Sequence, residues 1–66
     1  MKKTYVDSYK DGHHDIHVFS DMEKALDFLA TEEYDFRTRE IITKKEAEKL
    51  IGRNELKEIT EEMLDL

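Results

Sequence analysis

The dipeptide Asp11-Gly12 constrains this chain more than any other feature. It separates two runs in which apolar and polar residues alternate, and Asp-Gly readily takes the two positive φ angles of a type I′ hairpin turn. With Asp11 and Gly12 as the turn, Lys10 faces His13, Tyr9 faces His14, Asp7 faces Ile16, Val6 faces His17 and Tyr5 faces Val18. Side chains alternate along a strand, so Tyr5, Tyr9, Ile16 and Val18 share one face and Asp7 falls among them. Val6, Ser8, Lys10, His13, Asp15, His17 and Phe19 share the other. The first face is the expected core. Asp7 on that face calls for a slipped register or a specific partner.

Capping signals place the helices. Ser20-Asp21-Met22-Glu23 reads as a capping box in which the Ser20 hydroxyl accepts from the Glu23 amide. It opens a helix over 21–32, with Met22, Ala25, Leu26 and Leu29 as the buried stripe and Phe28 to one side. Tyr34, Phe36 and Thr38 alternate ahead of Ile41 and Ile42, which predicts a third strand over 34–42. A helix between the second and third strands makes them parallel if they share a sheet. The order 2-1-3, with the third strand antiparallel to the first, meets that condition. Thr43-Lys44-Lys45-Glu46 is a second capping box and opens a helix over 44–51. Its inward positions are Ala47, Leu50 and Ile51, and Gly52 suits the stop. Asn54 is the expected cap of a last helix over 55–65, whose apolar stripe is Leu56, Ile59, Thr60, Met63 and Leu64. With the hairpin spanning 3–20, the expectation is one small α+β domain of order ββαβαα.

Size limits the chemistry. A chain of 66 residues buries only about 60% of its unfolded surface, which leaves little room for an enclosed substrate cavity. Without cysteine there is no disulfide, thiolate metal site or thiol nucleophile. Gly12 and Gly52 are isolated, so no phosphate-binding loop exists, and Ser8 and Ser20 lack a base at a recognisable spacing. The reading is non-enzymatic, with no catalytic residue and no cofactor. No apolar run approaches a membrane span, and no signal-peptide core follows Met1-Lys2-Lys3, so a cytoplasmic protein with no membrane contact is expected.

Seventeen Asp and Glu against eleven Lys and Arg give a net charge of −6, unevenly spread. Residues 1–20 sum to zero, 21–36 to −5, 37–53 to +3 and 54–66 to −4. On the last helix, Glu55, Glu58, Glu61, Glu62 and Asp65 fall within about 120° of arc opposite the apolar stripe, with Lys57 as the local cation. Like charges at these spacings cost about 0.2–0.5 kcal/mol per pair, and acids near a helix C-terminus oppose its dipole. Either this is a solvated face on an acidic protein or it docks a cationic partner. Glu23 and Asp27 extend the acidic set to the first helix, and Phe28 beside them is a candidate aromatic anchor. If the two helices expose neighbouring faces, their acids form one field resembling a phosphate track.

His13, Asp15 and His17 share a strand face, a pattern that can present metal ligands. At a rise of about 3.3 Å per residue His13 and His17 stand roughly 13 Å apart, too far to share an ion, and no metal site is predicted. Thr43 to Leu64 has the outline of a helix-turn-helix, but its second helix offers Glu55, Glu58, Glu61 and Glu62 where DNA is read with Arg, Lys, Asn and Gln. The basic residues Arg37, Arg39, Lys44, Lys45, Lys49 and Arg53 are read as internal charge balance. Direct nucleic-acid binding is not expected.

A short acidic chain ordered hairpin, helix, strand resembles phage-encoded inhibitors of host DNA enzymes. Tyr5-Val6-Asp7-Ser8-Tyr9 is similar to a first-strand segment of DNA-mimicking inhibitors of uracil-DNA glycosylase. The likeness covers five of 66 residues, and the two C-terminal helices depart from that pattern. It implies a partner whose basic cleft normally holds nucleic acid. The expectation is therefore an acidic protein-binding module. The alternative is a regulatory or assembly module that binds a partner, or itself as a homodimer, through an apolar face.

Overall fold

Asp11 and Gly12 take positive φ angles of 53° and 83°, as a type I′ turn requires. The strands they join, β1 (Thr4–Lys10) and β2 (His13–Phe19), pair in the anticipated register, with Asp7 opposite Ile16 and Tyr5 opposite Val18. The computed structural model describes residues 3–30 and 37–62, the last by its backbone alone. After the hairpin come α1 (Met22–Ala30), β3 (Thr38–Ile42), α2 (Lys44–Ile51) and α3 (Arg53–Glu62). The sheet order is β2-β1-β3, and β1 is antiparallel to both neighbours. The chain is a small α+β domain. Tyr34 and Phe36 of the expected third strand, the expected end of the first helix, and Met63, Leu64 and Asp65 lie outside the described residues.

Both faces of the sheet are core, not one. Tyr5, Ile16 and Val18 pack against Ala47 of α2 and Leu56 of α3, with Ile42, Ile51 and Ile59 at the margin. On the reverse, Val6 and Phe19 pack against Ala25 of α1, flanked by Phe28 and Leu29. A period-2 strand with apolar residues at both parities buries both faces once helices are available for each.

Four local expectations are corrected. Asp21, not Ser20, caps α1: its Oδ1 accepts from the Lys24 amide at 2.9 Å, and its carbonyl accepts from the Ala25 amide. A carboxylate at this position also complements the positive helix end. The helix is rotated from the expected stripe, so that Ala25, Phe28 and Leu29 face the sheet while Met22 and Leu26 are 50% and 52% exposed. The Phe28 ring meets Phe19 at 5.2 Å, and an aromatic ring buries more area than either displaced side chain. Leu50 of α2 is likewise 41% exposed.

The capping box at Thr43 forms as expected: Thr43 Oγ1 accepts from the Glu46 amide at 3.1 Å, and Glu46 accepts from the Thr43 amide. Asn54 does not cap α3. Gly52, at φ 88°, donates its amide to the Glu48 carbonyl at 2.8 Å and offers its own carbonyl to the Leu56 amide at 3.1 Å. One residue in a conformation that favours glycine thus ends α2 and starts α3, which leaves Asn54 inside the first turn.

Candidate functional site

The acidic face of α3 is set by the burial of its opposite side. Leu56 is 2% exposed against the sheet, while Ile59 and Thr60 are half-buried. The Thr60 hydroxyl donates to the Leu56 carbonyl at 2.8 Å, so this stripe holds no free donor. With that side fixed, Glu55, Glu58 and Glu61 project outward and are exposed. Among the described residues none of the three has an ion-pair partner. Glu61 stands on the flank nearest Lys57 and lines a groove with Lys3, Lys44 and Arg53. Glu55 and Glu58 do not line that groove. The Glu62 side chain and Asp65 lie outside the described residues.

The first helix does not extend this surface. Glu23 and Asp27 are exposed one turn apart on α1, but α1 covers the Val6–Phe19 face of the sheet whereas α3 covers the Tyr5–Val18 face. The two acidic sets are therefore on opposite sides of the sheet. Phe28 is committed inward. Its ring lies 5.2 Å from Phe19 and 4.7 Å from His17, and the Arg39 guanidinium sits 4.1 Å from its centre. Arg39 also donates to the Phe28 carbonyl.

Asp7 has the specific partner that its placement demanded. It is 2% exposed, and His14 Nδ1 lies 2.9 Å and 3.1 Å from its two carboxylate oxygens. The His14 ring stacks on Tyr9 at 5.2 Å. A buried carboxylate costs several kcal/mol unless it is paired and hydrogen-bonded, and this contact offsets that cost. The signal was in the register: Tyr9 opposite His14 sets the imidazole one step from Asp7 on the same face.

Part of the basic set serves the fold. Arg37 Nε donates to Ser8 Oγ at 2.9 Å and its Nη2 to the Ser8 carbonyl at 2.6 Å, and the guanidinium pairs with Asp15 at 2.7 Å. Arg53 pairs with Glu48 at 3.4 Å. Asp15 is thus engaged by Arg37, His14 by Asp7, and His17 against Phe28. Among the described residues no three His, Asp or Glu side chains converge on a point that could hold a metal ion, and no helix is long and apolar enough to cross a membrane.

Comparison with protein-family models, curated proteins and solved structures finds no match to this chain. The resemblance to DNA-mimicking inhibitors therefore rests on the first-strand pentapeptide and the acidic composition.

Proposed function

We propose that this chain is a non-enzymatic, cytoplasmic binding module whose acidic α3 face engages a basic, nucleic-acid-binding surface of another protein. Its sharpest form is a DNA-mimicking inhibitor of a DNA-repair or other DNA-processing enzyme. One observation carries the reading: Glu55, Glu58 and Glu61 are exposed on one helix without an ion-pair partner among the described residues. Adjacent acids of this kind repel one another, and a partner's Arg and Lys would relieve that repulsion. Carboxylates would then occupy the positions that phosphates otherwise take, and the complex would weaken as salt rises. The contact is confined to the α3 side, because the acids of α1 face the other way.

The test is capture of DNA-binding proteins from a bacterial lysate on the immobilised chain, eluted by a salt gradient and competed with duplex DNA. Uracil excision by uracil-DNA glycosylase is assayed in parallel. Capture should fall at least tenfold in the quadruple variant E55Q/E58Q/E61Q/E62Q, whose fold should be intact or slightly more stable. Capture that resists salt and survives the four substitutions overturns the reading.

A further inference from the structure

One groove of this acidic chain collects cations. It is bounded by α2, α3 and the start of β1, and Lys3, Lys44, Arg53 and Lys57 line it together with Glu48 and Glu61. Four cations against two carboxylates leave a local excess of two positive charges in a chain whose net charge is −6. Glu48 is spent on Arg53, at 3.4 Å. Lys3, Lys44 and Lys57 are exposed, and among the described residues none of them has an ion-pair partner. Lys44 and Arg53 also stand in the first turns of α2 and α3, where the helix dipole opposes a cation. A bound anion relieves both costs.

The most buried residues of the groove are Tyr5 and Leu56, at 8% and 2% exposure. A buried tyrosine ordinarily finds a hydrogen-bond partner for its hydroxyl. Among the described residues the Tyr5 hydroxyl has none. The Thr60 hydroxyl, in contrast, is already committed to the Leu56 carbonyl. The groove thus offers unpaired point charges and one phenolic donor beside apolar surface.

An excess of two charges suits a dianion, and lysine binds phosphate as a compact point charge. The volume of the groove, about 480 Å³, falls in the range of roughly 300–1,000 Å³ typical of small-molecule sites and exceeds what a bare phosphate fills. A long polyanion is a poor fit, because it would run past the groove into the exposed acids of α3 and meet the net negative charge of the chain. We propose that this groove binds a small organic phosphate monoester, its phosphoryl oxygens taken by Lys44, Lys57 and the Tyr5 hydroxyl and its organic group laid toward Leu56. The site is separate from the outward acids Glu55 and Glu58 and does not rest on their engaging a partner.

The test is an amide NMR titration of the full chain with phenyl phosphate, at low salt in a phosphate-free buffer. It should give saturable shifts centred on Lys44, Leu56 and Lys57. Inorganic phosphate should shift the same amides with weaker affinity, and benzoate, which keeps the ring but carries one charge, should bind about tenfold more weakly. Lys44→Gln and Lys57→Gln should each weaken phenyl phosphate by about threefold to tenfold, and Glu61→Gln should strengthen it. Tyr5→Phe keeps the ring and removes the hydroxyl, so its loss of about threefold reads the phenolic donor apart from surface charge. The double variant E55Q/E58Q, outside the groove, should change affinity by no more than about twofold. Shifts that do not saturate and spread equally to Lys45 and Lys49 overturn the inference. So does affinity unchanged in both lysine variants or in Tyr5→Phe, or tighter binding of an oligoglutamate peptide or a DNA strand than of phenyl phosphate. None of these results bears on whether Glu55 and Glu58 engage a basic protein.

Discussion

The two faces of the sheet solve the same covering problem with different means. On one, two helices bring Ala47 and Leu56 onto Tyr5, Ile16 and Val18, and an Asp7–His14 pair sits at the far end. On the other, the nine-residue helix α1 covers Val6 and Phe19 with Ala25 at its centre. Arg39 over Phe28 and Arg37 on Ser8 cover the ground beyond it, and Met22, Leu26 and Ile41 are left outside. Long cationic side chains can lend their stems to the cover of a sheet face while keeping their charge in water.

Truncation should expose the imbalance most directly. Leu56→Ala should cost about 3–4 kcal/mol, since Leu56 is 2% exposed. A domain of this length has about 3–10 kcal/mol in total, so the loss is a large share of its stability, and urea denaturation should show a midpoint well below that of the parent. Phe28→Ala, removing a half-buried ring from the thinner cover, should cost about 2 kcal/mol, below the usual range for a fully buried aromatic. Equal losses would show that α1 packs as tightly as the helix pair.

The Asp7–His14 contact sharpens the comparison next. His14→Ala should destabilise by about 3 kcal/mol because it leaves the Asp7 carboxylate buried without its partner. The double variant Asp7→Val/His14→Val should recover most of that loss, and a thermodynamic cycle measured by urea denaturation separates the pair from its burial. If His14→Ala is neutral, water reaches Asp7 and that end of the face is not sealed.

The smallest effects test the helix ends on the thicker side. Thr43→Ala should cost about 1 kcal/mol by removing a capping bond, whereas Asn54→Ala should stay within about 0.5 kcal/mol because Asn54 caps nothing. Thermal melts of the two variants should differ by several degrees. A larger loss at Asn54 would move the start of α3 to the position expected from sequence.

What could be read in advance depended on the range of the interactions. The hairpin register, the Thr43 capping box and the stop at Gly52 come from turn chemistry and side-chain parity within a few residues. The outward set of Glu55, Glu58 and Glu61 was legible for the same reason, because helical periodicity alone places them opposite Leu56. The rotation of α1 was not legible. Met22, Ala25, Leu26, Phe28 and Leu29 offer two overlapping apolar stripes, and only the presence of Phe19 opposite decides between them. Nor could local pattern say that Gly52 would begin the next helix as well as end the last, since Asn54 is by itself a good cap.

The sequence by itself determined the order of elements, the pairing of the two hairpin strands and the carboxylates that ride on the outside of the last helix, because these follow from backbone preference and period. Tertiary structure alone decided that the acids of α1 and α3 face opposite ways, and that Ile41 stands uncovered beside Met22. Those outcomes depend on which face each helix takes and how it rotates to fill it, and such choices are settled by packing between residues far apart in the chain.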